Sequence, residues 1–213
     1  MRAEPQPLIL ASASPRRLAL LCELGLPFQV IVSNVAETWD VATPPHELAN
    51  VLAERKARAV AASVGTGLVL GADTMVVLDD EFLGKPEHAP DASRMLRRLS
   101  GREHDVITGL VLVDAATGTL RSGAVTSTVR LRALSDDDIA AYVATGEPLD
   151  KAGAYAIQGI GSHLIAGLEG CFTNVVGLPL CETARLLTDA GLAIAANVAL
   201  CRLPDGSPCP RLV

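Results

Sequence analysis

Leu8-Ile9-Leu10-Ala11-Ser12-Ala13-Ser14-Pro15-Arg16-Arg17 changes character halfway along. Pro7 to Ala11 is a short apolar run of the kind that forms a buried strand. Ser14 then offers a helix N-cap, and Pro15 brings the fixed backbone angle suited to a first helical position. Leu18, Leu21 and Leu24 continue at helical spacing until Gly25. A strand that runs directly into a capped helix opens an α/β unit.

Outward from this stretch the alternation continues. Phe28 to Val32 reads as a second strand, and Thr43-Pro44-Pro45 opens a longer helix through about Ser63. Leu68 to Leu78 is a nearly continuous apolar strand, with Asp79-Asp80 as a turn before Phe82-Leu83. Pro90 to Leu99 predicts a short basic helix ending at Gly101. Val106 to Val113 and Val125 to Leu131 predict strands around a turn at Thr117-Gly118. Ser135 and the three aspartates after it cap a helix ending at Gly146, because negative charge suits the first turn. Leu164 to Leu168 predicts a short strand, and Pro179 starts a last helix ending near Gly191. The expected class is α/β with a mixed, twisted β-sheet flanked by helices, in one domain over residues 1–194. Residues 195–213, rich in proline, are expected to form an irregular tail.

The 213 residues are 49% hydrophobic and 20% charged, which excludes a disordered chain and suits one domain or two small lobes sharing a core. Only 3% are aromatic, so the core must be built from Ala, Val, Leu and Ile, and few rings remain to stack on bases. Eighteen Lys+Arg against 24 Asp+Glu give a net charge of −6, the wrong sign for a nucleic-acid polymer. Any anion must therefore meet local positive charge. Ala190 to Cys201, interrupted by Asn197, falls short of the roughly 20 apolar residues of a membrane span. Leu8 to Ala13 is too short for a signal-peptide core. Cysteines at 22, 171, 181, 201 and 209 form no CxxC and no ligand cluster, so reduced thiols in a cytoplasm are expected. Cys201 and Cys209 share a Pro/Gly-rich tail that could bring them together.

Three constellations could carry chemistry. The Ser12-to-Arg17 turn places two hydroxyls, two guanidiniums and a helix N-terminus at one spot, an oxyanion cradle. The competing reading is an ordinary cap with two solvated arginines. Leu48, Leu52, Lys56 and Val60 fall on one helical row, where Lys56 either snorkels to solvent or faces a crevice holding an anion. Asp73 lies inside the apolar Val69-to-Val77 run, where a carboxylate is costly to bury without a partner, a proton or a metal. Desolvated acids favour function over a structural bond here, and Gly71 and Ala72 would leave room for a ligand beside it. Gly84-Lys85-Pro86, His104 and the Asp150-to-Gly159 loop are weaker candidates taken singly. Walker A, GxGxxG and GxSxG patterns are absent.

In order, Leu8 to Arg17, Gly71-Ala72-Asp73-Thr74, Gly84-Lys85-Pro86 and Ser100-Gly101 with His104 and Thr108-Gly109 resemble the Maf family of nucleoside triphosphate pyrophosphatases. The resemblance continues through Asp150-Lys151-Ala152-Gly153-Ala154-Tyr155-Ala156-Ile157-Gln158-Gly159 and Val175-Val176-Gly177-Leu178-Pro179, covering residues 6 to 190. It implies a fold similar to the inosine triphosphate pyrophosphatases, two lobes with a central cleft, and a homodimer. It also implies hydrolysis of a nucleoside triphosphate to monophosphate and pyrophosphate, with a divalent cation (Mg, Mn or Co), by in-line attack of water on the α-phosphorus.

By position, the resemblance makes Asp73 the catalytic acid–base or metal-associated residue and Glu37 its acidic partner, both on the metal. Lys56, Lys85 and Arg17 would hold the triphosphate, with Ser12 and Ser14 at its approach. Arg16, Thr74 and Gln158 match the subgroup that prefers dTTP and UTP, and Lys151 and Tyr155 point the same way. The subgroup that prefers 7-methyl-GTP carries Trp, Gln and Glu at those three places. One departure is Ala36, where the family usually has a second acid beside Glu37. Two rival readings are a nucleotide-binding regulator of septum formation acting through a partner, and a pyrophosphatase for modified nucleotides.

Overall fold

A computed structural model of the chain describes residues 6–36 and 43–194. Glu37 and the expected tail 195–213, with Cys201 and Cys209, lie outside the described residues. The strands are β1 (Leu8–Leu10), β2 (Phe28–Val30), β3 (Leu68–Leu78), β4 (Glu81–Leu83), β5 (Glu103–Asp114), β6 (Leu120–Leu131) and β7 (Ile165–Glu169). The helices are α1 (Pro15–Cys22), α2 (Pro45–Val64), α3 (Ala89–Leu99), α4 (Asp136–Ala144), α5 (Phe172–Val176) and α6 (Leu180–Asp189).

All seven strands form one mixed sheet in the order β2-β1-β3-β5-β6-β7, with β4 also paired to β3. β1 is parallel to both β2 and β3, and the remaining pairs are antiparallel. The chain leaves β1 for β2 on one side and later returns to β3 on the other. The α1 leucines 20, 21 and 24 pack on the sheet face of Leu8 and Leu10, whereas α2 packs on the opposite face with Ile9 and Val69. The carboxyl end of β1 is therefore a switch point, where an α/β sheet leaves a crevice between helices that diverge to its two faces.

A second feature widens that crevice. Along one edge of β3, β1 covers only Leu68–Leu70 and β4 covers only Val76–Leu78. Among the described residues, the edge between them, from Gly71 to Met75, has no strand partner on that side and holds Asp73 at its centre. One apolar cluster lies at each end of the same sheet face. The first joins α1, α6 and the start of β3, and the second joins α3, α4 and the end of β3. The lobes expected from the resemblance are these two clusters on a shared sheet, with the uncovered β3 edge between them.

Local signals act as their chemistry dictates. Ser14 Oγ accepts from Arg17 N, and Ser135 with Asp138 forms a capping box on α4. Asp79 and Asp80 both take positive φ, 53° and 62°, as a two-residue hairpin between β3 and β4 requires. α3 begins at Ala89, one residue earlier than expected, because His88 is the cap through its Nδ1. β5 and β6 run longer than their apolar cores, continuing through polar residues whose backbone stays paired. α5 and the three 3-10 segments Glu147–Asp150, Ala152–Ala154 and Gly159–Leu164 have no apolar period to announce them. Tertiary bonds hold them instead: Asn174 Nδ2 donates to Val106 O and Ser127 Oγ at 2.9 Å each, and Glu147 accepts from the Ile160 and Gly161 amides.

The expected space beside Gly71 is occupied. A Cβ there would lie 2.3 Å from Ala53 O and 3.0 Å from Ala57 N, so the glycine admits α2 to the sheet and leaves no room for a ligand.

Candidate active site

The uncovered edge of β3 opens into a cleft of about 480 Å³. Its walls come from the β1–α1 turn, the α2 face, β3, the Gly84-Lys85 turn, the 150–158 loop and the end of α5. Each candidate residue within the described part of the chain lies on it: Ser12, Ser14, Arg16, Arg17, Lys56, Asp73, Thr74, Lys85 and Gln158. They come from sequence positions up to 146 residues apart, brought together because the turn after β1 and the loop before β7 flank the same strand edge.

Lys56 and Asp73 are partners. Lys56 Nζ donates to Asp73 Oδ1 at 2.5 Å, with side chains only 10% and 12% exposed. Lys56 therefore does not snorkel to solvent; its side chain is buried on the cleft wall. Pairing also answers the cost of Asp73 in an apolar strand, since removing either partner would strand a nearly buried charge. Asp73 faces α2 because side chains alternate along β3, and Lys56 sits on the turn between Ala53 and Ala57 that packs on Gly71.

The turn after β1 is a narrower cradle than a bare helix N-terminus. Pro15 has no N–H, Ser14 Oγ takes the Arg17 amide at 3.4 Å, and Ser12 Oγ takes the Ser14 amide at 3.2 Å. The turn's cation is also held inward. Arg17 Nε donates to Gly177 O at 2.9 Å, Nη1 to Ser12 Oγ at 3.4 Å and Nη2 to Thr74 Oγ1 at 3.1 Å. Its guanidinium is fixed in one plane at the cleft wall, which suits bidentate recognition of an oxyanion. At the mouth, Arg16 lies 3.7 Å from Asp150, and Lys151 Nζ donates to Asp150 Oδ1 at 2.6 Å and to Glu147 O at 2.7 Å. The Lys151 hydrogen bond holds the Asp150 carboxyl below its ordinary range.

Five cations (Arg16, Arg17, Lys56, Lys85 and Lys151) and two carboxylates (Asp73 and Asp150) line the described part of the cleft. A chain with a net charge of −6 thus concentrates positive charge in one place, the pattern a compact polyanion requires. Main-chain groups escaped the reading of side chains. Val175, Val176 and Gly177 line the cleft, yet nothing in their sequence marks the Gly177 carbonyl as functional.

Comparison with known proteins now decides the family. The Maf-like protein family model matches residues 7–190. The chain belongs to the Maf family. It is 51% identical over 191 residues to a protein of Moorella thermoacetica named dTTP/UTP pyrophosphatase, covering 90% of this chain and 98% of that one. A Symbiobacterium thermophilum protein with the same name is 50% identical over 189 residues, covering 89% and 96%. One from Pelotomaculum thermopropionicum is 48% identical over 184 residues, covering 86% and 96%. In this Maf protein the match, from Pro7 to Ala190, spans the described sheet and helices.

Behind the cleft wall, His104 Nε2 and Tyr155 Oη share a hydrogen bond at 2.7 Å. Burial pushes the His104 ring down to about 4 from its ordinary value near 6.5, against an opposing pull from the Asp105 carboxylate. The folded protein therefore holds His104 neutral where the unfolded chain protonates it. Stability is full above pH 6.5 and falls by about 3 kcal/mol on the way down to pH 4. The carboxylates held low by partners, Asp138 by Arg132 and Asp150 by Lys151, lose their contribution only near and below pH 4. Urea unfolding at pH 6.5 and pH 5, compared between wild type and a His104 variant, isolates the His104 contribution. In His104→Gln, which can still bond Tyr155, the difference between those two pH values should shrink by the His104 share; an undiminished difference refutes the assignment.

Proposed function

We propose that this Maf protein hydrolyses nucleoside triphosphates, dTTP and UTP among them, to the monophosphate and pyrophosphate. The observation that carries this reading is the buried Lys56–Asp73 pair at the centre of a cation-lined cleft, in a chain half identical to proteins named dTTP/UTP pyrophosphatase. Lys85, Arg17 and Lys56 neutralise the triphosphate, and Ser12 and Ser14 border its approach. Asp73 keeps one oxygen on Lys56 and turns the other to water, orienting it and taking its proton as it attacks the α-phosphorus. The bond from water oxygen to phosphorus forms as the bond to the pyrophosphate oxygen breaks, and the cations take up the charge on the leaving group. Arg16, Thr74 and Gln158 border the end of the cleft assigned to the pyrimidine.

A divalent cation fits this donor set in one mode only. Among the described residues no three His, Cys, Asp or Glu converge, so a cage built wholly of protein ligands is not formed there. Asp73, with Glu37 as the second carboxylate, would share the ion with phosphate oxygens, as Mg²⁺ sites in phosphate chemistry do. Such an ion supplies Lewis-acid polarisation of the phosphoryl oxygens. The same reading has a homodimer working in the cytoplasm, which the family resemblance supports. Among the described residues no helix is long and apolar enough to cross a membrane.

The test is product analysis in ¹⁸O water, with dTTP, UTP, the purine triphosphates and a metal titration. Pyrophosphate and a monophosphate carrying the label are expected, with the pyrimidine nucleotides turned over fastest. Orthophosphate and a diphosphate would refute the reaction. Tight binding without turnover would favour the regulatory alternative.

A further inference from the structure

Thr74 and Thr108 face each other across the β3–β5 ladder. Thr108 is 0% exposed, lies on the same strand face as the buried Val106 and Leu110, and does not line the cleft. Valine would fill the same volume there without a hydroxyl to desolvate, so the hydroxyl calls for a reason. Its bonds supply a direction. Thr108 Oγ1 donates to Asn174 O at 3.2 Å, which commits its only hydrogen. It then accepts from Thr74 Oγ1, 2.9 Å away and closer than the 3.4 Å between Thr74 Oγ1 and its other acceptor, Gly177 O, and Thr74 in turn accepts from Arg17 Nη2 at 3.1 Å. The chain runs from a guanidinium through two hydroxyls to a carbonyl, every hydrogen pointing the same way.

The far end of that chain is rigid. Asn174 is anchored by its amide to Val106 O and Ser127 Oγ, and three residues on Gly177 O accepts directly from Arg17 Nε. One segment, 174–177, therefore holds Arg17 twice, once directly and once through the two threonines. We propose that Thr108 is a positioning residue for Arg17, setting the guanidinium plane that grips the triphosphate from a site the nucleotide never touches. The proposal rests on the reading that Arg17 binds the triphosphate. It also gives Thr74 an indirect task, because its hydroxyl hydrogen goes to Thr108 in preference to the longer contact with Gly177 O.

The experiment measures affinity, so it does not depend on turnover. The probe is dTTP with a methylene group replacing the α–β bridging oxygen, titrated calorimetrically. Thr108→Val, which removes the hydroxyl and keeps the shape, should weaken binding about tenfold, the scale of one hydrogen bond to a charged group. Thr108→Ser should bind within twofold of wild type despite losing a methyl group. Where Thr108→Val does not fold, Thr108→Ala against Thr108→Ser isolates the hydroxyl at constant cavity. In an Arg17→Ala background the Thr108 substitution should add nothing, since both act through one contact. With active protein, KM should rise and kcat stay within about twofold.

Normal binding by Thr108→Val overturns the proposal, as does equal weakening by the serine variant. So does an undiminished effect in the Arg17→Ala background. If wild type binds the probe but cleaves no nucleotide, the pyrophosphatase reading fails and the affinities still decide the relay. If wild type does not bind the probe, the relay is overturned.

Discussion

Asp73→Asn should abolish most pyrophosphate release, lowering kcat by about 10³-fold, within the range general-base residues contribute. The substitution is nearly isosteric, and the amide oxygen can still accept from Lys56, whose Nζ lies 2.5 Å from Asp73 Oδ1 in the wild type. What disappears is the negative charge and the proton acceptor, so the loss should fall on kcat. In buffer free of divalent cations, nucleotide affinity should hold or improve, because a negative charge beside the triphosphate has gone while the five cations of the described cleft remain. A calorimetric titration with the same non-cleavable analogue separates the two quantities. Turnover within tenfold of wild type would move the chemistry to another residue. Normal kcat with weakened binding would make Asp73 a structural partner of Lys56 and nothing more.

That pair shows what the sequence made legible and what it did not. Asp73 stood out as a carboxylate within an apolar strand, and Lys56 as a cation on an apolar helical row. Each signal is local and periodic, and each survived folding because α2 and β3 formed where their periods placed them. Their contact is not local. It depends on where α2 crosses the sheet, which no periodicity encodes. The α5 segment illustrates the other limit: its five residues are held by Asn174 and by backbone carbonyls, and such bonds leave no apolar pattern to read. The sequence leaves Arg17 as either an oxyanion ligand or a solvated arginine of the cap, and Gly177, 160 positions away, turns it inward. Distant carbonyls that fix a side chain are invisible until the chain is folded. Glu37 lies outside the described residues, so its place beside Asp73 rests on resemblance alone.

The crossing of α2 over the sheet is itself set by two glycines, and this gives the largest structural effect. Gly71→Val should cost about 3 kcal/mol or more, beyond most overpacking substitutions, because the collision is with backbone. A Cβ at Gly71 would sit 2.3 Å from Ala53 O, and one at Gly109 would sit 2.4 Å from Ala49 C. Gly109 is paired with Asp73 across the ladder, so both contacts bracket the catalytic candidate. A flexible side chain could swing aside, but a helix carbonyl moves only with its helix. Displacing α2 carries Lys56 away from Asp73, since Lys56 lies between Ala53 and Ala57, the two residues that touch Gly71. A shift of about 1 Å in a positioning element can cost on the order of 10²-fold in rate. Thermal melting should therefore drop by about 10 °C for a chain of this size. The fraction still folded at low temperature should turn over poorly. Gly167→Ala is the control: its added Cβ meets only the Arg130 side chain at 3.6 Å, an ordinary contact. If Gly71→Val melts with the control and keeps its activity, close helix–sheet contact is not what brings Lys56 to Asp73.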